Sequence, residues 1–414
     1  MSISPGLSTA GDLVAERPAL DSASLLSEAR DLLADAVTLR RTIHAEPELG
    51  LQLPKTQAAV LGALSELDLV VRTGSGVSSV VATMVGDAEG PTLLLRADMD
   101  ALPMPEDTGL EFASTIAGVM HACGHDAHVA MLYGAARLLH RRRPDLRGTV
   151  KFLFQPGEEG LHGARHCIAD GVLEDPAVDA AFALHITPNL ASGRLATRPG
   201  PFMAAADEIA IDITGKGGHA STPHLALDPI PVAAELVLAL QSFITRSVNV
   251  FDPAVLTVGR ISAGTTNNVI PERAEIEGTL RTVSERTRDE VHAGIRRVAH
   301  HVALAHDCEA DVTITRGYPV TVNDRRFVDF ARDVMGDLVG SDQVTDMKAP
   351  VMGAEDWSYV LQKVPGCMVF LGVCPPEVEP SQAAACHSNR MKLDEDAMAV
   401  GIATHAAVAL SYLG

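Results

Sequence analysis

Apolar residues near the start of the chain recur with the spacing of a helix that buries one face. Between Ala23 and His44, leucines and alanines follow one another at intervals of three and four residues, and Pro47 and Gly50 come soon after. This spacing predicts an amphipathic helix, and proline and glycine are typical of a helix end. A second helical pattern covers residues 56–67.

Short apolar runs then alternate with helical patterns. Buried strands are predicted at residues 77–84, 92–95, 149–154, 180–184 and 368–373, and helices at residues 126–140 and 163–170. Alternation of this kind is typical of an α/β domain. The predicted fold class is therefore α/β, with a mixed, mainly parallel sheet flanked by helices.

The middle of the chain has a different pattern, in which apolar and polar residues alternate as in strands with one exposed face. Strands are predicted at residues 208–214, 254–261 and 274–280, and helices at residues 229–244 and 284–305. We therefore expect an inserted α+β domain at residues 198–316. It would separate the two parts of the α/β domain, residues 1–197 and 317–414.

Composition and charge narrow the class of protein. The chain has 414 residues, of which 47% are hydrophobic and 21% charged, so it can bury a large core and is not disordered as a whole. Its 33 lysines and arginines against 53 aspartates and glutamates give a formal net charge of −20. So acidic a surface repels phosphates, and we expect neither nucleic acid nor a membrane as a partner.

The cysteines and the N-terminal residues indicate a location. Six cysteines without a CxxC pair are too few for a disulfide framework and are typical of a reducing compartment. Residues 1–20 are small, polar and aperiodic, which predicts a loose tail and no signal peptide. No run approaches the ~18–20 uninterrupted apolar residues of a membrane span. We therefore expect a cytoplasmic protein.

Acidic residues, histidines and one cysteine gather just after the apolar runs or just before a helix. They are Asp98, Asp100, Cys123, His125, Glu158, Glu159, His185 and His387. Ligands of open α/β sheets bind at the carboxyl ends of the strands, so we expect these side chains to converge at one edge. Cys386, next to His387, is interpreted as an incidental neighbour.

Each of these residues has a simpler interpretation when taken alone. A histidine such as His185 is more often structural, Cys123 alone is a small buried side chain, and two adjacent glutamates are typical of a solvated helix start. Together, one cysteine, three histidines and one glutamate form a donor set suited to zinc, and also able to hold manganese, cobalt or nickel. Five ligands exceed those of one catalytic zinc, so two metal ions that share a ligand are the simplest account.

Nine segments combine these residues into longer motifs. They are HAEPELG (44–50), RADMDALP (96–103), MHACGHDAH (120–128), FQPGEEG (154–160), Leu184–His185, GKGGHASTPH (215–224), NNVIPERAEIEGTLR (267–281), GAEDWSY (353–359) and the loop of His387. In this order and spacing they resemble the M20 metallopeptidase family, in its branch of aminoacylases, hippurate hydrolases and auxin-conjugate hydrolases. The match extends from about residue 38 to the C-terminus.

The resemblance implies a role for each site residue. The implied metal ligands are Cys123, His125, Glu159, His185 and His387, with Cys123 shared between two metals. Glu158 matches the general base, and either Asp98 or Asp100 matches an acid that orients a ligand. In the inserted domain, His219 matches a residue that reaches the active site of a neighbouring subunit, and Asn268 and Arg281 match residues that hold the substrate's amide and carboxylate.

The resemblance also implies a reaction. The enzyme would use two divalent metal ions per subunit, zinc first and manganese, cobalt or nickel as alternatives, to cleave N-acyl or N-aroyl amino acids into a carboxylic acid and an amino acid. The inserted domain would be the lid and dimerisation domain of a homodimer or a dimer-based homotetramer. Ser388 follows His387 where many relatives have a proline and an aromatic residue, so the substrate preference is open.

Two other functions remain as alternatives. Cys123 with His125 as its base would make a cysteine hydrolase, although a spacing of two residues makes that geometry awkward and leaves the other donors unused. A non-catalytic relative is the second alternative, but Glu158 and all five implied ligands are present. Nucleotide binding at the GKGG segment is not expected, because the spacing GxxxxGK[ST] is absent.

Overall fold

The computed structural model describes residues 20–414 and divides this part of the chain into two compact units. The first unit contains the chain up to Gly200, Val322–Lys348 and Tyr359–Gly414, and the second contains Pro201–Thr321 and Ala349–Ser358. The inserted domain was expected at residues 198–316. Apart from Leu20, the predicted N-terminal tail lies outside the described residues.

Ten helices and sixteen strands are numbered here in chain order over the described residues. The helices are α1 (Ser22–Asp31), α2 (Leu33–Ala45), α3 (Pro54–Leu64), α4 (His125–Arg141), α5 (Gly163–Ala169), α6 (Pro229–Ser247), α7 (Glu285–Leu304), α8 (Arg325–Val339), α9 (Ser358–Leu361) and α10 (Met398–Leu413). The strands are β1 (Val70–Thr73), β2 (Val80–Val85), β3 (Ala88–Asp98), β4 (Arg147–Gln155), β5 (Ala180–Ala191), β6 (Leu195–Thr197), β7 (Gly200–Met203), β8 (Ala205–Thr214), β9 (Gly218–His219), β10 (Ala254–Ala263), β11 (Val269–Ile270), β12 (Arg273–Thr282), β13 (Glu309–Arg316), β14 (Thr321–Asn323), β15 (Val344–Asp346) and β16 (Gly366–Cys374).

The first unit is built on an eight-stranded sheet with the strand order β1-β2-β4-β3-β5-β16-β6-β15. Its central strands β4, β3, β5 and β16 are parallel to one another, whereas β1, β2 and β6 pair antiparallel with their inner neighbours. The helices α4 and α10 pack against each other and against β3, over a core that includes Leu93, Leu95, Phe152 and Phe182. The predicted α/β class with a mixed, mainly parallel sheet is confirmed.

The register of the parallel strands brings the predicted site residues to one edge of this sheet. Asp98, the last residue of β3, pairs with Gln155, the last residue of β4. Arg96 of β3 pairs with Ala183 of β5, which places His185 of β5 level with Asp98. Parallel strands end at the same edge, so the loops after β3 and β4 meet beside His185.

Two elements differ from the sequence prediction. The first helix is interrupted at Leu32, whose N–H bonds to the carbonyls of both Glu28 and Ala29, so that the pattern predicted as one helix forms α1 and α2. Strand β5 continues to Ala191 beyond the predicted end at Leu184, because its pairing with β16 continues there.

The second unit has a four-stranded antiparallel sheet in the order β10-β12-β8-β13. Ile209, Ile211 and Ile213 alternate along β8 with more exposed residues and form a core with the helices α6 and α7. This is the one-sided sheet that the alternating pattern predicts. A separate ribbon pairs β9 with β11, placing His219 opposite Val269.

Two helical segments are long and apolar enough to cross a membrane by length and composition alone: Pro229–Ser247 and Glu395–Leu413. In Glu395–Leu413, 78% of the most apolar window is buried. The buried residues of Pro229–Ser247 pack against the four-stranded sheet. Core helices of globular domains pass the same test, so this is weak evidence for a span.

Candidate functional site

Asp98 ends β3 as a fully buried carboxylate with two hydrogen-bond donors. Its Oδ2 accepts from Nη1 of Arg96 at 2.7 Å, and its Oδ1 accepts from Nδ1 of His128 at 2.5 Å. Burial raises the pKa of Asp98, but the charges of Arg96 and the neighbouring histidines outweigh it and lower the pKa well below its usual value. Asp98 is therefore an ionised carboxylate at neutral pH.

Asp100 holds the backbone of the two glutamates and the ring of a histidine. Its carboxylate oxygens accept from the N–H groups of Glu158 and Glu159, each at 2.9 Å. Its carbonyl oxygen accepts from Nδ1 of His125 at 2.8 Å. A carbonyl can only accept, so Nδ1 of His125 keeps its proton, and Nε2 is the nitrogen that can bind another group.

His185 is fixed in the same way. Its Nδ1 donates to the carbonyl of Ile186 at 2.6 Å, and its Nε2 lies 3.5 Å from the Sγ of Cys123. Burial lowers the pKa of His185 to about 3, so the ring is neutral and Nε2 carries a lone pair.

His128 is a site residue to which the sequence assigned no role. The N–H of Ile186 donates to its Nε2 at 2.9 Å, which leaves Nδ1 as the protonated nitrogen that donates to Asp98. Both ring nitrogens are thus occupied by the protein, and His128 supports the site without a free donor for a metal. The sequence signal that could have predicted this role is its position three residues after His125, which places both histidines on the same face of α4.

Cys123 and His387 are brought to the site by backbone turns. Gly124, at a φ of 81°, lies between Cys123 and the first residue of α4. An added Cβ there would lie 2.6 Å from the side chain of Ile186, so glycine meets both a conformational and a steric requirement. The N–H of His387 donates to the carbonyl of Ala122 at 2.8 Å, and its Nε2 lies 3.2 Å from Oε1 of Glu159.

The five predicted ligands form two donor clusters with one residue in common. Within each cluster the donor atoms lie within 4.8 Å of one another; the first is Cys123, His125 and His185, and the second is Cys123, Glu159 and His387. Nε2 of His125 is buried and has no protein hydrogen-bond partner among residues 20–414. An unpartnered buried nitrogen in a set of sulfur, nitrogen and carboxylate donors fits divalent metal ions.

The charges around His125 also favour a cation. Burial alone lowers the pKa of His125, but Asp98, Asp100 and Glu159 outweigh it and raise the pKa to about 10. Burial raises the pKa of Glu159, and the hydrogen bond from His387 and the charge of His125 bring it below its usual value. The same carboxylates that stabilise a proton on His125 would stabilise a metal cation bound at its Nε2.

Glu158 is buried beside these clusters but belongs to neither set of three. A carboxylate oxygen of Glu158 lies within 4.8 Å of a ring nitrogen of His125 and of a carboxylate oxygen of Glu159. Oε1 of Glu159 lies 3.2 Å from Nε2 of His387, so Glu159 is in contact with a member of the second cluster.

A buried ion network lies behind the start of α4. Nε of Arg40 and Nδ1 of His44 both donate to Oδ2 of Asp126 at 2.8 Å, and Nε2 of His44 donates to Glu106 at 3.2 Å. Asp126 follows His125 directly, so this network ties α2 to the helix turn that carries a predicted ligand. This network could not be predicted from the sequence, because Arg40 and Asp126 are 86 positions apart.

The other predicted residues lie in the second unit. His219 is exposed, and its Nδ1 accepts from the N–H of Ser221 at 3.1 Å, which leaves Nε2 as the ring nitrogen that can face another group. The carbonyl of Asn268 accepts from Ala220, so Asn268 and His219 are close. Arg281 is the second-to-last residue of β12, an inner strand of the four-stranded sheet, and pairs with Val255 and Ala206.

Comparison with known proteins places this arrangement in a family. Residues 94–411 match the family described as Peptidase family M20/M25/M40. The chain belongs to this M20 family. As a member of it, the chain is an enzyme that hydrolyses amide bonds, and the resemblance noted from its motifs is confirmed.

Several known proteins match most of the chain. The chain is 39% identical over 381 residues to the IAA-amino acid hydrolase ILR1-like 2 of Arabidopsis thaliana, covering 91% of this chain and 85% of the relative. It is 40% identical over 336 residues to the N-acetyl-L-cysteine deacetylase of Bacillus subtilis, covering 81% and 80%. The crystal structure of the Bacillus subtilis YXEP protein, described as a dinuclear metal-binding peptidase of the M20 family, superposes with a TM-score of 0.80 at 34% identity and covers 92% of this chain and 98% of that one.

Proposed function

We propose that this protein hydrolyses N-acyl or N-aroyl amino acids to a carboxylic acid and a free amino acid. The observation that carries the proposal is the pair of donor clusters that share Cys123, with Glu158 beside them. The names of the two relatives, a hydrolase of IAA-amino acids and a deacetylase of N-acetyl-L-cysteine, both describe removal of an acyl group from an amino acid.

The two clusters would hold two divalent metal ions per chain. Cys123, His125 and His185 would bind one ion, and Cys123, Glu159 and His387 the other. The thiolate and imidazole donors favour zinc, and manganese, cobalt and nickel remain alternatives. When bound, such a pair of ions lowers the pKa of water to about 7 and polarises an amide carbonyl.

Glu158 would then act as the general base. Its carboxylate takes a proton from the attacking water and delivers it to the leaving nitrogen of the amino acid. Asp100 holds the backbone of both glutamates, so we assign Asp100 as the acid that orients the ligands. Asp98 lies with Oδ2 3.5 Å from Nε2 of His125 and would contribute its negative charge.

His219, Asn268 and Arg281 would serve the substrate. The Nε2–H of His219 suits a donor to the oxyanion that develops on the amide carbonyl. The guanidinium of Arg281 suits the substrate carboxylate, which it can bind through two parallel hydrogen bonds. Asn268, next to His219, suits the amide.

A homodimer, or a tetramer built from such dimers, would pair the second units. Strand β10 is at the edge of its sheet and exposes Val255 and Ile261, and Leu238 on the neighbouring α6 is 72% exposed. An unpaired edge with apolar residues is a surface that a second copy can cover. The six free cysteines support a reducing, cytoplasmic location.

The experiment that tests this proposal is a hydrolysis panel on protein that has been stripped by chelation and reloaded with zinc, manganese, cobalt or nickel. Acetyl, long-chain acyl, benzoyl and indole-acetyl conjugates of several amino acids are the substrates. We expect release of free amino acid by the reloaded enzyme only. If the stripped enzyme instead keeps full turnover, and thiol alkylation abolishes that turnover, the protein is a cysteine hydrolase.

A further inference from the structure

The segment that carries Cys123 and the segment that carries Cys386 lie next to each other. The N–H of His387 donates to the carbonyl of Ala122 at 2.8 Å, and Met120 packs with Met391 in a small apolar cluster. Cys386 and Cys123 each adjoin one of the two residues that this hydrogen bond joins. Their sulfurs contact consecutive residues of β5: Sγ of Cys123 lies 3.5 Å from Nε2 of His185, and Sγ of Cys386 lies 4.0 Å from the carbonyl oxygen of Ile186.

The two thiols also contact each other. The side chains of Cys386 and Cys123 lie within hydrogen-bonding reach of each other. Cys386 was interpreted from the sequence as an incidental neighbour, and this contact is the reason to examine a role for it. All six cysteines are free, and of the five in the first unit Cys386 is partly exposed whereas the other four are buried. A small oxidant would therefore reach Cys386 first.

We propose that Cys386 and Cys123 form a reversible disulfide when a hydroperoxide reaches the site. The pairing itself rests on the geometry of the two segments. Its consequence rests on the proposed function, because Cys123 is the donor common to both metal clusters. One disulfide would remove a ligand from both ions at once, and bound metal would in turn protect Cys123.

The reaction balances with the hydroperoxide as the oxidant. The sulfur of Cys386 attacks the peroxide, the O–O bond breaks, an alcohol leaves (water when the oxidant is hydrogen peroxide), and Cys386 becomes a sulfenic acid. The sulfur of Cys123 then attacks the sulfur of Cys386, the S–O bond breaks, and the hydroxide leaves as water with the proton of Cys123. Two thiols are oxidised by two electrons, and the peroxide is reduced by two.

The test treats the chelated full-length protein with about one equivalent of hydrogen peroxide. We expect a mass loss of ~2 Da per chain, a non-reduced peptide that links Cys123 to Cys386, and recovery of both thiols with a reductant. Cys386→Ser should abolish the linked peptide. Cys374→Ser, which removes the buried cysteine at the end of β16, should leave the linked peptide unchanged.

A second arm measures the link to metal. Two equivalents of zinc added before the peroxide should slow formation of the linked peptide by roughly ten-fold or more, because only metal-free chains react. Zinc binding by the oxidised protein should be lost and should return after reduction. Sulfinic or sulfonic acid at Cys386 without a linked peptide would overturn the disulfide. A linked peptide that forms equally fast with zinc would uphold the disulfide and overturn Cys123 as the shared ligand.

Discussion

Glu158 and Glu159 are adjacent in sequence, yet their side chains have different neighbours. Both N–H groups bond to Asp100, which fixes the two backbone positions. The side chain of Glu159 faces His387, whereas that of Glu158 lies among other groups of the site. The proposed division between metal binding by Glu159 and proton transfer by Glu158 rests on this difference.

Substituting each glutamate separately tests that division. Glu158→Gln should keep both metal ions and lose about 10²–10⁴ in kcat, because the general base is gone and the ligands remain. Glu159→Gln should lower metal occupancy first. Metal analysis and steady-state kinetics on the same samples provide the measurement. Normal turnover by Glu158→Gln would refute its role as the base.

Sequence alone predicted which residue types would gather at the site, but not how they are held. Asp98, Glu158 and His185 follow predicted strands, and parallel strands end at one edge, so their proximity was predictable. The hydrogen bonds from the N–H groups of Glu158 and Glu159 to Asp100 were not predictable, because they depend on the backbone conformation of the loop after β4. The support of Asp98 by His128 was also missed, since its partners are 30 and 58 positions away.

At the scale of elements, a buried lysine holds β4 to the chain that follows α5. Lys151 is fully buried, and its Nζ donates to the carbonyls of Val172 at 3.1 Å, Pro176 at 2.7 Å and Glu174. Burial lowers the pKa of Lys151 to about 8. The ammonium satisfies three carbonyls, so its removal leaves them without a donor.

Lys151→Met should therefore destabilise the fold without changing the chemistry. We expect a loss of about 2–5 kcal/mol in the free energy of unfolding, measured by denaturant titration. The turnover of the folded fraction should stay normal, because Lys151 lies four residues before the carboxyl end of β4. Lys55→Met, at an exposed lysine, is the control and should change stability by less than about 0.5 kcal/mol. Equal effects from both substitutions would contradict this account.

The contact between α2 and α4 should depend on pH through His44. Burial lowers its pKa, but the charge and hydrogen bond of Asp126 outweigh this and raise the pKa to about 9. The folded pKa lies above the unfolded value of about 6.5. The stabilisation is therefore complete below pH 6.5 and is lost as the pH rises through 9.

The stability difference between the wild type and His44→Gln should accordingly shrink with rising pH. On chelated protein, the difference in unfolding free energy should fall by on the order of 3 kcal/mol between pH 6 and pH 9.5. Denaturant titrations of both proteins at several pH values measure it. A difference that is constant or grows with pH would show that His44 is not held protonated by Asp126.

Strong periodic patterns predicted their elements well, and short ones gave no signal. The helix predicted at residues 126–140 is α4, and the strand predicted at residues 149–154 is β4. Strands β6 and β15 have three residues each, which is too short for a period to be visible. They form because neighbouring strands offer free backbone groups, and that pairing depends on the tertiary structure and not on the local sequence.

At the scale of the whole molecule, the predicted ligands and the predicted oxyanion donor lie in different units. All five ligands belong to the first unit and His219 to the second. The segment Ala349–Ser358, which also joins the second unit, was not predicted there because it has no regular pattern. We propose that His219 completes the site of a partner subunit in a C₂ dimer.

Mixing two inactive variants tests whether the site is shared. Glu158→Ala and His219→Ala should each be nearly inactive alone. After subunit exchange about half of the dimers are mixed, and each has one intact site, so about a quarter of the wild-type activity should return. No recovery, with exchange verified by mass tags, would place His219 in its own subunit's site or outside catalysis.

The central claim, two metal ions that share Cys123, is tested most directly by the number of zinc ions bound per chain. After chelation and titration with zinc, the wild type should bind about two ions. His185→Ala should keep about one, because Glu159, His387 and Cys123 remain, and Cys123→Ala should lose tight binding of both. If Cys123→Ala still binds two zinc ions as tightly as the wild type, the shared site is contradicted.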